Sequence, residues 1–168
     1  MHYVSWDRTQ RDAPKLLAEA GPEVLGEFTH ESATVGGQQW DLLVAPESGA
    51  VAKCNGEKVV EATASLARAK EIPVHIGERS YVLVNEWGKN WVVNDAAGEK
   101  VAQFTQDHNG VRKAILEFEG ETTLPATDVA GLAWVSREVL EAKKLGISNA
   151  LIGTLLLFSA VIVLVTLL

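Results

Sequence analysis

The chain reads as a mainly β protein, an antiparallel β-sandwich or barrel built from a duplicated meander, followed by an amphipathic helix and one C-terminal transmembrane helix. Three observations predict this. Short runs rich in β-branched and aromatic residues alternate with Gly, Asn and Asp turns from Val24 to Phe118. Within that region a block of sequence recurs, and after Lys144 no ionisable side chain follows to the end at Leu168.

Residues 1–23 form a polar N-terminal segment. A short helix is expected from about Ala13 to Ala20, with Asp12 as its cap, Pro14 in its first turn and Gly21-Pro22 as its stop. Trp6 stands in this segment without a helix or strand of its own, which marks it as an exposed aromatic suited to anchoring an interface.

The β-domain covers residues 24–120. Trp40-Asp41-Leu42-Leu43-Val44, Ser80-Tyr81-Val82-Leu83-Val84 and Asn90-Trp91-Val92-Val93 read as strands, with a last strand near Val111 to Phe118. Val35-Gly36-Gly37-Gln38-Gln39-Trp40-Asp41-Leu42 aligns with Ile76-Gly77-Glu78-Arg79-Ser80-Tyr81-Val82-Leu83, and Gly56-Glu57-Lys58-Val59 with Gly98-Glu99-Lys100-Val101. The pairs are offset by 41 and 42 positions, so the second copy has gained one loop residue. Each copy reads as a strand entered through a glycine turn, a second strand, a hairpin at Asn55-Gly56 or Ala97-Gly98, and a third strand.

Residues 121–145 return to helical period. Thr127 is the expected N-cap, and Val129, Leu132, Val135 or Ser136, Val139 and Ala142 or Lys143 trace the face that would pack on the β-domain. Arg137, Glu138, Glu141 and Lys144 fall elsewhere. The anchor, residues 146–168, is long enough to cross a bilayer: from Ile147 to Leu168 a helix spans ~33 Å. Fourteen of those positions are Leu, Ile, Val or Phe, favouring insertion by roughly 4 to 8 kcal/mol. Gly146, Ala150, Gly153 and Ala160 draw a small-residue stripe along one side, the kind of surface on which a second transmembrane helix packs closely.

Charge and motifs narrow the function. Arg137, Lys143 and Lys144 precede the span, which places the N-terminal domain in the cytoplasm and makes the protein single-pass in the cell membrane. A net charge of −7 argues against nucleic acid as a partner. His2, His30, His75 and His108 are scattered and Cys54 is the one cysteine, so no metal site, cofactor or catalytic set is expected. Gly56-Glu57-Lys58 and Gly98-Glu99-Lys100 lack the spacing of a phosphate loop and suit hairpin turns.

The paired Gly-Gly-Gln-Gln-Trp and Gly-Glu-Arg-Ser-Tyr openings, with the Asn-Gly-Glu-Lys and Ala-Gly-Glu-Lys turns, resemble the tubby-like superfamily that includes the LURP-one-related and phospholipid scramblase proteins. The resemblance implies an antiparallel barrel enclosing a C-terminal apolar helix, and lipid binding or scrambling at the membrane. In size, acidic cytoplasmic domain and single span, the layout is also similar to small accessory subunits of actinobacterial respiratory supercomplexes, which join cytochrome bcc and aa3 oxidase. These readings predict a non-catalytic accessory or stabilising subunit whose partners are an integral membrane complex and the lipid bilayer, or alternatively a lipid-handling β-domain.

Overall fold

The computed structural model describes residues 1–88, 90–105 and 115–144. Twelve described strands form one closed antiparallel barrel: β1 (Tyr3–Asp7), β2 (Lys15–Ala18), β3 (Val24–Phe28), β4 (Ser32–Val35), β5 (Gln38–Ala45), β6 (Gly49–Cys54), β7 (Glu57–Ala62), β8 (Glu71–Ile76), β9 (Arg79–Trp87), β10 (Asn90–Asp95), β11 (Lys100–Thr105) and β12 (Ile115–Phe118). Each strand pairs with its neighbours in sequence, and β1 closes the ring on β12 through Tyr3↔Glu117, Val4↔Leu116 and Ser5↔Ile115. Of the two expected architectures, the barrel is the one formed, and it leaves no unpaired sheet edge.

Strand alternation builds the inner wall. Trp40 and Leu42 of β5, Ile72, Val74 and Ile76 of β8, and Tyr81 and Leu83 of β9 are buried, while Asp41, Leu43 and His75 between them are exposed. The duplicated unit is visible as β5–β6–β7 against β9–β10–β11, with Trp40 and Tyr81 at matching inward positions. The hairpin at Asn55-Gly56 is also as expected. Both residues have positive φ, 52° and 85°, as a two-residue turn matched to strand twist requires.

Twelve strands ~4.8 Å apart, tilted as barrel strands are, enclose a cylinder ~24 Å across, too wide for wall side chains alone to fill. The helix α1, residues 126–144, occupies that space. Small wall residues (Ala33, Ala50, Ala52, Ala62 and Ala102) make room for it, as do Ala130, Gly131 and Ala133 on the helix. At Gly131 a Cβ would lie 2.8 Å from Val60 Cγ2 and 2.9 Å from Ile76 Cδ1, so α1 touches the β7–β8 wall there.

Four expectations need correction. The segment 13–20 is not helical: β2 is a strand paired with both β1 and β3, and cross-strand bonding outweighs the helix-start signals of so short a stretch. Residues 1–23 are therefore part of the barrel and not a separate segment. Trp6 is not exposed; it is 2 % accessible, its ring set edge-on to Phe28 at 5.0 Å, because Val4 and Trp6 alternate inward on β1. The helix does not lie on the β-domain with one face in water. Every residue from Asp128 to Ser136 is buried, since its back face is small and apolar as well. Thr127 is not its N-cap: the Pro125 carbonyl accepts the first helical bond, from Val129 N–H at 3.1 Å, and Thr127 lies inside the first turn.

Among the described residues no helix is long and apolar enough to cross a membrane. The predicted span 146–168, with Gly146, Ala150, Gly153 and Ala160, lies outside those residues, as does His108.

Candidate functional site

An up-and-down barrel has two unlike ends. Strand pairs that follow even-numbered strands are joined by short turns at one end, where α1 also enters after β12. The connections after odd-numbered strands, residues 8–14, 29–31, 46–48 and 63–70 among them, gather at the other end, where α1 leaves. We call this second end the mouth.

At the entry end α1 is pinned. Asp128, fully buried in its first turn, accepts a two-pronged hydrogen bond from Arg79 at the start of β9 (Nε to Oδ2 2.6 Å, Nη2 to Oδ1 2.7 Å) and one from the Tyr81 hydroxyl at 2.6 Å. Burial alone would raise the Asp128 carboxyl. The bonds from Arg79 and Tyr81, with the Arg79 charge, outweigh it and hold the carboxyl below the usual range. Burial and the bond to Asp128 push the Tyr81 hydroxyl up, and Asp128 raises Arg79 further. Paired in this way, a buried charge fixes the rotation and depth of the helix in the barrel.

At the mouth the helix cations are held by the wall. The Arg137 guanidinium lies 5.0 Å from the centre of the Trp6 ring and donates from Nε to Glu141 Oε1 at 3.0 Å, while Arg8 of the β1–β2 loop approaches the same carboxylate at 3.8 Å. Lys143 Nζ sits 5.0 Å from the centre of Trp91 and donates to the Ala67 carbonyl at 3.3 Å; burial lowers its pKa. Two of the three basic residues expected to mark membrane orientation are thus also engaged by the barrel wall.

Between α1 and the loops lies a cleft of about 420 Å³, bordered by Arg11, Asp12, His30, Arg137, Glu138 and Glu141, with Pro14, Thr29, Val44, Pro46 and Ala142 completing it. Burial, and then repulsion from Glu141, push the Glu138 carboxyl up to about 7 against contrary pulls from Arg137, His30 and a hydrogen bond to Trp134. A carboxyl that exchanges its proton near neutrality beside a histidine and two arginines suits binding of a small polar group or a proton-linked contact. Among the described residues no group of three His, Cys, Asp or Glu is arranged to hold a metal ion.

Cys54 is half-buried at the end of β6, on the entry side, and His75 faces outward from β8 toward the Ser80 hydroxyl at 3.1 Å. Of the described histidines only His30 reaches the cleft. Asp128 and Glu138 escaped the sequence reading as site residues. For Asp128 the available signal was an acid heading the apolar run Val129-Ala130-Gly131-Leu132-Ala133-Trp134-Val135, whereas Glu138, among Arg137, Glu141 and Lys144, carried none.

Comparison of the chain with protein-family models, curated proteins and solved structures finds no match.

Proposed function

We propose that this chain is a C-terminally anchored, non-catalytic accessory subunit that stabilises a larger membrane complex, with the barrel as its body on the cytoplasmic side. The observation that carries this reading is the path of α1: it fills the barrel, is pinned by Asp128, and leaves at the mouth toward the apolar residues 147–168. A barrel filled by its own helix leaves its outer surface and rim for recognition, and the rigid hold on α1 joins that surface to the anchor. A respiratory supercomplex is the setting the layout suggests.

Purification of the full chain in mild detergent tests this. Integral membrane proteins co-purify, and Gly153→Leu, on the stripe of Gly146, Ala150, Gly153 and Ala160, weakens their recovery while the unfolding temperature of the barrel stays unchanged. Recovery of the chain alone under gentle conditions refutes the reading.

A lipid-handling role is the second reading. An antiparallel barrel enclosing a helix is the architecture implied by the resemblance to the tubby-like superfamily, and the closed barrel around α1 supports this reading. Under this reading the purified chain binds vesicle lipid or exchanges it between leaflets, and failure in both assays removes it.

A further inference from the structure

The mouth is polarised against the rest of the molecule in a way that the net charge of −7 conceals. The described connections at the mouth carry four cations, Arg8, Arg11, Arg68 and Lys70, and three acids, Asp12, Glu31 and Glu47. Those at the entry end carry six acids, Glu19, Glu23, Glu78, Glu99, Glu119 and Glu121, and no Lys or Arg. Near an anionic surface the loops of the entry end are repelled more strongly than those of the mouth, where Arg68 is paired with Glu47 at 3.2 Å and the strand ends add Asp7, Glu71 and Glu86, a difference felt within a Debye length.

The mouth also displays an exposed aromatic. Trp6, Trp40, Trp91 and Trp134 are all at or below 2 % accessibility, whereas Trp87, the last residue of β9, is 73 % exposed at this rim. Leu43, 68 % exposed, lies near the same end of β5. Tryptophan is enriched where a protein meets the headgroup layer, because its ring is apolar and its N–H remains hydrated there.

Chain length supplies the third constraint. Only residues 145 and 146 separate Lys144 from Ile147. Three Cα steps reach at most ~11 Å, so a span starting at Ile147 holds the mouth that close to the bilayer.

We infer that the barrel rests mouth-down on an anionic bilayer surface, with Trp87 in the headgroup layer and Arg11, Arg68 and Lys70 meeting lipid phosphates. The inference rests on reading residues 147–168 as the membrane anchor, and its test separates the two. The full chain is reconstituted into nanodiscs of phosphatidylcholine, alone or mixed with phosphatidylglycerol, with or without headgroup-level spin-labelled lipid. The Trp87 signal is the emission of the wild type less that of Trp87→Phe.

In discs containing phosphatidylglycerol, the headgroup label lowers that signal roughly twofold or more, and aqueous iodide loses access to it. The triple variant Arg11→Glu, Arg68→Glu, Lys70→Glu reverses both effects while the chain stays in the disc. A chain that is anchored, resisting alkaline extraction, yet keeps Trp87 open to iodide and unquenched overturns the inference and leaves the anchor standing. Equal quenching in neutral discs overturns the assignment to anionic lipid. A chain that does not enter discs at all overturns both the anchor and the inference.

Discussion

Replacing Glu138 with Gln should stabilise the protein above neutrality and leave it unchanged in acid. Its carboxyl, on α1, is pushed from the ordinary 4.5 up to about 7 by burial and by Glu141, opposed by Arg137 and His30, with Arg11 and Asp12 also bordering the cleft. Between those two values the folded protein keeps a proton that the unfolded chain releases. Stability therefore falls as pH rises through this window, by at most about 1.4 kcal/mol per pH unit and ~3 kcal/mol in all. Gln mimics the protonated acid and has no such dependence. Urea unfolding of the full chain in detergent, followed by the buried tryptophans, should give equal stabilities for the two proteins near pH 4.5. By pH 8 the variant should lead by ~3 kcal/mol. Glu141→Gln removes the repulsion and should move the wild-type inflection to lower pH. Parallel curves for Glu138→Gln and wild type from pH 4.5 to 8 would refute the burial argument.

Three further substitutions probe the fit of helix and wall. Asp128→Asn keeps an acceptor for Tyr81 but loses the ion pair with Arg79, and should cost about 1–3 kcal/mol at pH 7. Because the folded Asp128 carboxyl lies below the ordinary range, its contribution is present above the unfolded pKa and is lost as pH falls through the folded one, so that cost should shrink in strong acid in the same urea titration. Gly131→Val drives a branched side chain into Val60 and Ile76 and should destabilise by about 3 kcal/mol or less, with Val60→Ala restoring part of the loss in a double-mutant cycle. At Gly49 the φ of 135° and an added Cβ only 2.0 Å from the Ala62 carbonyl oxygen forbid any side chain, so Gly49→Ala should lower the thermal midpoint by more than the same change at the open turn residue Gly37.

Much of the wall was legible locally. The inward alternation of β5 and β9 and the Asn55-Gly56 hairpin depend on residues within one or two turns of chain, where period and turn chemistry act directly, and the duplicated unit shows in the match of one such stretch to another. β2 was misread because its four residues carry no alternation strong enough to override Asp12 and Pro14 as helix signals; its strand character comes from β1 and β3 on either side. Trp6 was misread for a related reason, since its partner Phe28 and the overlying Arg137 are 22 and 131 positions away.

By itself, the sequence determined a β-rich domain punctuated by glycine turns, a repeated unit, a following helix and an apolar C-terminal stretch, because each of these is written in the spacing of near neighbours. Only the tertiary structure decided that the domain closes, Val4 meeting Leu116, and that the helix runs inside it. Closure and enclosure are contacts between residues distant in the chain. They turn Ala130, Gly131 and Ala133 from an unremarked back face into the space the helix needs, Asp128 into its pin, and the loops around Glu138 into a mouth facing the way the chain leaves.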